Sequence, residues 1–137
     1  MIHYLKVSLI ALVLLAGIQA CSRKPATDEP KVASIQLDSI LARMGSLSKE
    51  QGLAQTVFTF KNTGTEKLVF LDAAVSCDCL SVTLPEKPVK PGKKGQFVVT
   101  MDPHAKKAGG FNYRVFFAYN GDPMQFYVDV EGEITEK

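Results

Sequence analysis

From Gln55 onward the chain falls into short runs in which apolar residues recur at every second position, separated by turn-forming residues. Thr56-Val57-Phe58-Thr59-Phe60 puts Phe58 and Phe60 on one face. Phe97, Val99 and Met101 share a face, as do Tyr113, Val115, Phe117 and Tyr119. Phe126, Val128 and Val130 alternate with Tyr127, Asp129 and Glu131. A period of two marks strands with one buried face. Leu68-Val69-Phe70-Leu71 is instead a continuous apolar run, as expected of a strand covered on both faces or lying at a sheet centre. Asn62-Thr63-Gly64-Thr65, Pro85 to Gly95, Asp102-Pro103, Gly109-Gly110 and Asn120-Gly121-Asp122-Pro123 read as the connections. Short strands at this spacing over about 100 residues predict an all-β fold. The architecture expected is an antiparallel sandwich of about seven strands, with Phe58, Phe60, Phe70, Phe97, Val99, Val115, Phe117, Phe126 and Val128 in its core. The segment from Val32 to Leu53 reads two ways. Leu37, Ile40, Leu41 and Met44 have helical spacing, yet Ser34 to Asp38 fits a first strand.

The N-terminus reads as an export signal. Lys6 gives it a positive start, and Val7 to Ile18 is apolar or small apart from Ser8, too short and wrongly flanked for a spanning helix. It ends Ile18-Gln19-Ala20-Cys21, which resembles a lipobox, although Gln19 stands where a small residue is usual. In proteins with that motif the cysteine is lipidated and the signal removed. The expected organisation is therefore a signal peptide over residues 1–20, a lipidated Cys21 with a flexible tether over 21–33, and a folded domain over 34–137. Acyl chains such as palmitate on Cys21 hold a protein at a membrane, each buried methylene adding about 0.8 kcal/mol.

Composition narrows the functions. Net charge is +2 over 137 residues, with no basic block, which argues against a nucleic-acid partner. Lys93-Lys94 and Lys106-Lys107 read as solvated turns. Beyond the signal only His104 remains, leaving little material for histidine catalysis or histidine-rich metal sites. No Gly-x-Ser-x-Gly, His-Glu-x-x-His or phosphate-loop motif occurs, and the carboxylates are scattered. The expectation is a protein that is not an enzyme and needs no cofactor.

Several motifs together resemble a known family. Phe58-Thr59-Phe60-Lys61-Asn62-Thr63-Gly64, then Leu68-Val69-Phe70, then Ser76-Cys77-Asp78-Cys79, then Pro88-Val89-Lys90-Pro91-Gly92 and Asp102-Pro103 are similar in order and spacing to the domain-of-unknown-function 1573 family. Its pattern reads Phe-x-Phe-x-Asn-x-Gly, Ser-Cys-Gly-Cys and Pro-x-x-Pro-Gly, and the match runs from about Met44 to Glu133. Asp78 replaces the usual glycine, and Met44-Gly45-Ser46-Leu47 stands where Asp-Phe-Gly-x-Ile is frequent. The resemblance implies an immunoglobulin-like fold close to Hydin-type domains, in exported proteins common among Bacteroidota, and hence a cell-envelope location at the outer membrane. It implies no activity. The motifs also have structural readings of their own. Asn62-Thr63-Gly64 permits a tight turn with glycine free to adopt positive φ, and Pro91-Gly92 fits the centre of a type II turn.

Cys77 and Cys79 remain once Cys21 is lipidated. Both are expected at the end of the strand begun by Leu68, with Asp78 facing water. Two residues apart in an extended strand, their Cα atoms would lie roughly 6.5 to 7 Å apart, so a disulfide needs a bent backbone. The readings open are local structural packing, a labile redox disulfide, and a soft-metal (copper or zinc) site completed by Met101, Met124 or His104. Asp78 beside the thiols disfavours a reactive thiolate. The function expected is a membrane-anchored binding or scaffolding domain with a protein or glycan partner in the envelope. The alternative is a thiol-redox or copper-handling protein using Cys77 and Cys79.

Overall fold

The computed structural model describes residues 30–137. The expected signal peptide, the expected lipidation site Cys21 and the expected tether up to residue 29 lie outside the described residues. Eight strands follow in order: β1 (Ile35–Leu37), β2 (Leu41–Ser48), β3 (Ala54–Asn62), β4 (Phe70–Val75), β5 (Leu80–Thr83), β6 (Lys94–Met101), β7 (Gly109–Tyr119) and β8 (Gln125–Thr135). They form two four-stranded sheets, β1-β3-β6-β5 and β2-β8-β7-β4. The all-β sandwich is as expected. It has one strand more than the seven anticipated, and one pair is not antiparallel: β2 runs parallel to β8. No helix among the described residues is long and apolar enough to cross a membrane.

The alternating faces meet between the sheets. Phe97 on β6 lies at the centre, its ring centroid 4.5 Å from that of Phe117 on β7 and 5.2 Å from that of Phe58 on β3. Phe60, Val99, Val115 and Val128 are fully buried as predicted, while Phe70 and Phe126 are partly buried against the same cluster. Each fully buried large apolar side chain is worth about 1.5–3 kcal/mol relative to exposure. Leu68, Met101, Tyr119 and Val130 are buried in the same core.

The ambiguous segment forms β1 and β2 followed by a single 3-10 turn at Lys49–Gln51, with no α-helix. β2 carries a bulge between Arg43 and Gly45, where Gly45 has φ 69°. The bulge switches the inward series from Ala42 and Met44 to Leu47. Met44 and Leu47 therefore fall three apart, a helix-like spacing with a local cause. The packed body also begins before the expected boundary at 34. Ala33 is fully buried and bridges to Gly121, and the Val32 carbonyl accepts from the amides of Thr65 and Glu66.

Two further expectations are corrected. The run Leu68 to Leu71 is not at a sheet centre: β4 is an edge strand with β7 as its one neighbour, and Leu71, at a bulge, is 59% exposed. Leu68 alone is buried, bridged to Val89 ahead of the strand. Gly64 does not take positive φ. Glycine is needed there because a Cβ would strike the backbone of Val32, Ala33 and Ser34 as they pass over the turn. The turn is held by Asn62, which is fully buried. Its amide nitrogen donates to the carbonyls of Glu66 (2.7 Å) and Val89 (2.9 Å), and its Oδ1 accepts from the Gly64 amide (3.0 Å). Pro91-Gly92 forms the predicted type II turn: Gly92 has φ 76° and the Lys93 amide donates to the Lys90 carbonyl.

Candidate functional site

The cysteines occupy the corner where the chain passes from β4 in one sheet to β5 in the other. The backbone there is a turn, not extended strand. The Leu80 amide donates to the Cys77 carbonyl, and the Cα atoms of Cys77 and Cys79 are 5.2 Å apart, with the two sulfurs bonded as a disulfide. Both residues are buried, at 7% and 3% exposure. Asp78 projects into solvent and pairs with Lys106 at 3.2 Å. The Asp102 amide donates to the Cys79 carbonyl, so the corner is tied to the loop after β6 on two sides. A disulfide this covered is poorly placed for attack by an external thiolate.

Of the residues suggested as further soft-metal ligands, Met101 alone is brought beside the corner, fully buried and paired with Leu80 across β5 and β6. His104 is exposed in the 3-10 turn Pro103–Ala105. Met124 is in the β7–β8 hairpin, at the opposite end of β4 from the cysteines. Among the described residues no group of three His, Cys, Asp or Glu side chains is arranged to hold a metal ion.

The second notable surface is the outer face of the β2-β8-β7-β4 sheet. Strand register arranges its outward residues in rows: Asp72, Ala118 and Gln125; then Ala74, Phe116 and Tyr127; then Arg114 and Asp129; then Asn112, Glu131 and Arg43. Phe116 and Tyr127 stand opposite each other, 49% and 42% exposed, with ring centroids 6.4 Å apart. Arg114 lies over the Tyr127 ring and donates twice to the Asp129 carboxylate. Those bonds hold the Asp129 carboxyl below its ordinary value and raise the guanidinium above its own, burial opposing both shifts. Arg43 and Glu131 pair at 2.8 Å in the next row. The Phe116–Tyr127 pair was missed as a site in the sequence, although the alternation carries the signal. If Phe117 and Phe126 face inward, Phe116 and Tyr127 face outward, and large aromatics at outward positions need a reason.

Two depressions mark this face. A shallow hollow of about 220 Å³ lies against Phe116, between Ala74, Ala118, Asp72 and Gln125. A wider open groove of about 690 Å³ runs across β2, β8 and β7, floored where Gly45 and Gly110 leave bare backbone and flanked by Arg43, Ser46, Asn112 and Glu133.

Comparison with known proteins agrees with this architecture. A protein of unknown function from Porphyromonas gingivalis W83 superposes with a TM-score of 0.67 at 19% identity, over 81% of this chain and 51% of its own. This chain thus spans about half the length of that structure. The ASH / PapD-like domain of human CEP192 superposes with a TM-score of 0.58 at 12% identity, over 83% of this chain and 93% of that domain. The VesB protease of Vibrio cholerae gives a TM-score of 0.52 at 15% identity, over 74% of this chain and 31% of its own. At these identities the likeness is one of fold. No curated protein matches the sequence. The model of the family described as protein of unknown function (DUF1573) matches residues 35–134, and the chain belongs to that family.

Proposed function

We propose that the chain is a lipoprotein of the cell envelope, held by lipidated Cys21 at the outer membrane, whose immunoglobulin-like domain binds a partner and catalyses no reaction. The observation that carries this reading is the outer face of the β2-β8-β7-β4 sheet. There Phe116 and Tyr127 remain about half exposed beside the Arg114–Asp129 pair. Aromatic and arginine side chains on a rigid sheet are the usual anchors of a binding surface. The pairing of Arg114 with Asp129 fixes its guanidinium over Tyr127, so less side-chain freedom is lost on binding. The export features of residues 1–20 and the lipobox-like ending at Cys21 support the anchor.

The thiol-redox or copper-handling alternative is less well supported, because both sulfurs are buried and already joined. The experiment that tests the binding reading is affinity capture from the native envelope, comparing the wild-type chain with Phe116→Ala and Tyr127→Ala. The expected result is a captured component that both substitutions deplete. Capture indifferent to both variants would refute this face as the binding surface.

A further inference from the structure

The hollow beside Phe116 is more selective than an exposed aromatic alone. Its floor is low because register places Ala74 of β4 opposite Phe116, while Ala118 follows two residues along β7. Its wall is the Phe116 ring, which has an apolar face and no polar handle. Its rim carries the Asp72 carboxylate, an acceptor, and the Gln125 carboxamide, which both donates and accepts. At about 220 Å³ it is smaller than the roughly 300–1,000 Å³ of sites that enclose a whole drug-sized ligand. One ring of a longer chain fits that size better than an entire molecule.

Charge narrows the ligand. Arg114 is neutralised by Asp129, and Arg43 by Glu131, so the middle of the face offers no net field to a charged chain. Asp72 repels anions from the hollow. A lone cation gains little at so exposed a carboxylate. What remains complementary is a neutral ring with one apolar face and a hydroxyl rim. Its neighbours along the chain would lie over Tyr127 and the paired side chains, whose rows follow at intervals of about 7 Å.

We propose that the hollow formed by Asp72, Ala74, Phe116, Ala118 and Gln125 is a subsite for one ring of a neutral saccharide chain. This proposal rests on the reading of the domain as a binding module and names the chemistry of its ligand. The test is nuclear magnetic resonance titration of the full chain, in a detergent without a sugar headgroup, with maltohexaose, cellohexaose, mannohexaose and the hexamer of N-acetylglucosamine. At least one oligosaccharide should shift the backbone signals of these five residues saturably. Phe116→Ala should weaken that binding about tenfold or more. Ala118→Gln, which fills the hollow and leaves both aromatics in place, should do the same. Silence from the whole panel at millimolar concentration overturns the proposal, as does binding that both variants leave unchanged. A trilysine peptide that displaces the sugars as the better ligand overturns it too, in favour of a cation site. If the panel is silent while envelope capture still depends on Phe116 and Tyr127, the saccharide is wrong and the binding module stands.

Discussion

Arg114 and Asp129 face each other across β7 and β8, joined by hydrogen bonds of 2.7 and 2.9 Å, and the same guanidinium lies 3.9 Å from the centre of the Tyr127 ring. One salt bridge therefore orients an exposed aromatic. Its contribution to stability is modest, because the Arg114 side chain is 43% exposed. Its sign with pH is nonetheless defined. The Asp129 carboxyl is held below its ordinary value, chiefly by the hydrogen bonds from Arg114. The resulting stabilisation is fully present above the unfolded aspartate value of about 3.9 and fades as the pH falls below it through the folded value. Asp129→Asn should flatten that acid limb in urea unfolding measured as a function of pH, with little change near neutrality beyond loss of the pair itself.

Asn62 is the most demanding polar position in the fold. Replacing it with alanine strands the carbonyl of Glu66 and the amide of Gly64 and removes one of the two donors to the Val89 carbonyl, links that join the β3–β4 connection to the segment before β6. Each buried group left unpaired costs roughly 1–3 kcal/mol. Asn62→Ala should therefore lower the unfolding free energy by about 3 kcal/mol or more in denaturant titration, more than any surface substitution on β3.

The parts of the fold legible in the sequence are those where a single face is buried along an unbroken strand. The Phe58–Phe60 and Val115–Phe117–Tyr119 series show the period directly. β2 was not legible because its bulge at Gly45 breaks the period, and because nothing local encodes a parallel partner 88 residues away, the separation of Arg43 and Glu131. β4 misled for a different reason. An edge strand that keeps Leu71 exposed has the same composition as a covered one. For the candidate site, the outward positions of Phe116 and Tyr127 followed from the alternation. The hollow between Phe116 and β4 did not, since it depends on Ala74 being placed opposite Phe116 by tertiary register.

The cysteine corner makes a stability prediction. The disulfide closes a very short loop, so its loss should cost little chain entropy. The burial of both side chains changes the expectation for serine, which would put two hydroxyls where the sulfurs now sit. Cys77→Ala/Cys79→Ala should fold with a small loss, whereas Cys77→Ser/Cys79→Ser should cost about 1–3 kcal/mol more. Thermal and denaturant unfolding of the two double variants provides the comparison. Equal losses would show that the polar burial does not matter there.

Anchoring has its own test. Cys21→Ala should release the protein from the membrane fraction or block its processing, as read by fractionation and by the mass of the mature N-terminus. A variant that stays membrane-bound and is trimmed at the same place would rule out the lipid anchor.

The outer face of the β2-β8-β7-β4 sheet, as the binding surface, should be the part of the molecule nearest its partner in the cell. The direct measurement is site-specific photocrosslinking in intact cells, with the crosslinking side chain placed at position 116 or, as the control, at position 57 on the outer face of the other sheet, where Val57 is 53% exposed. A discrete adduct is expected from position 116 and none from position 57. Adducts from position 57 alone, or the same pattern from both, would contradict that assignment.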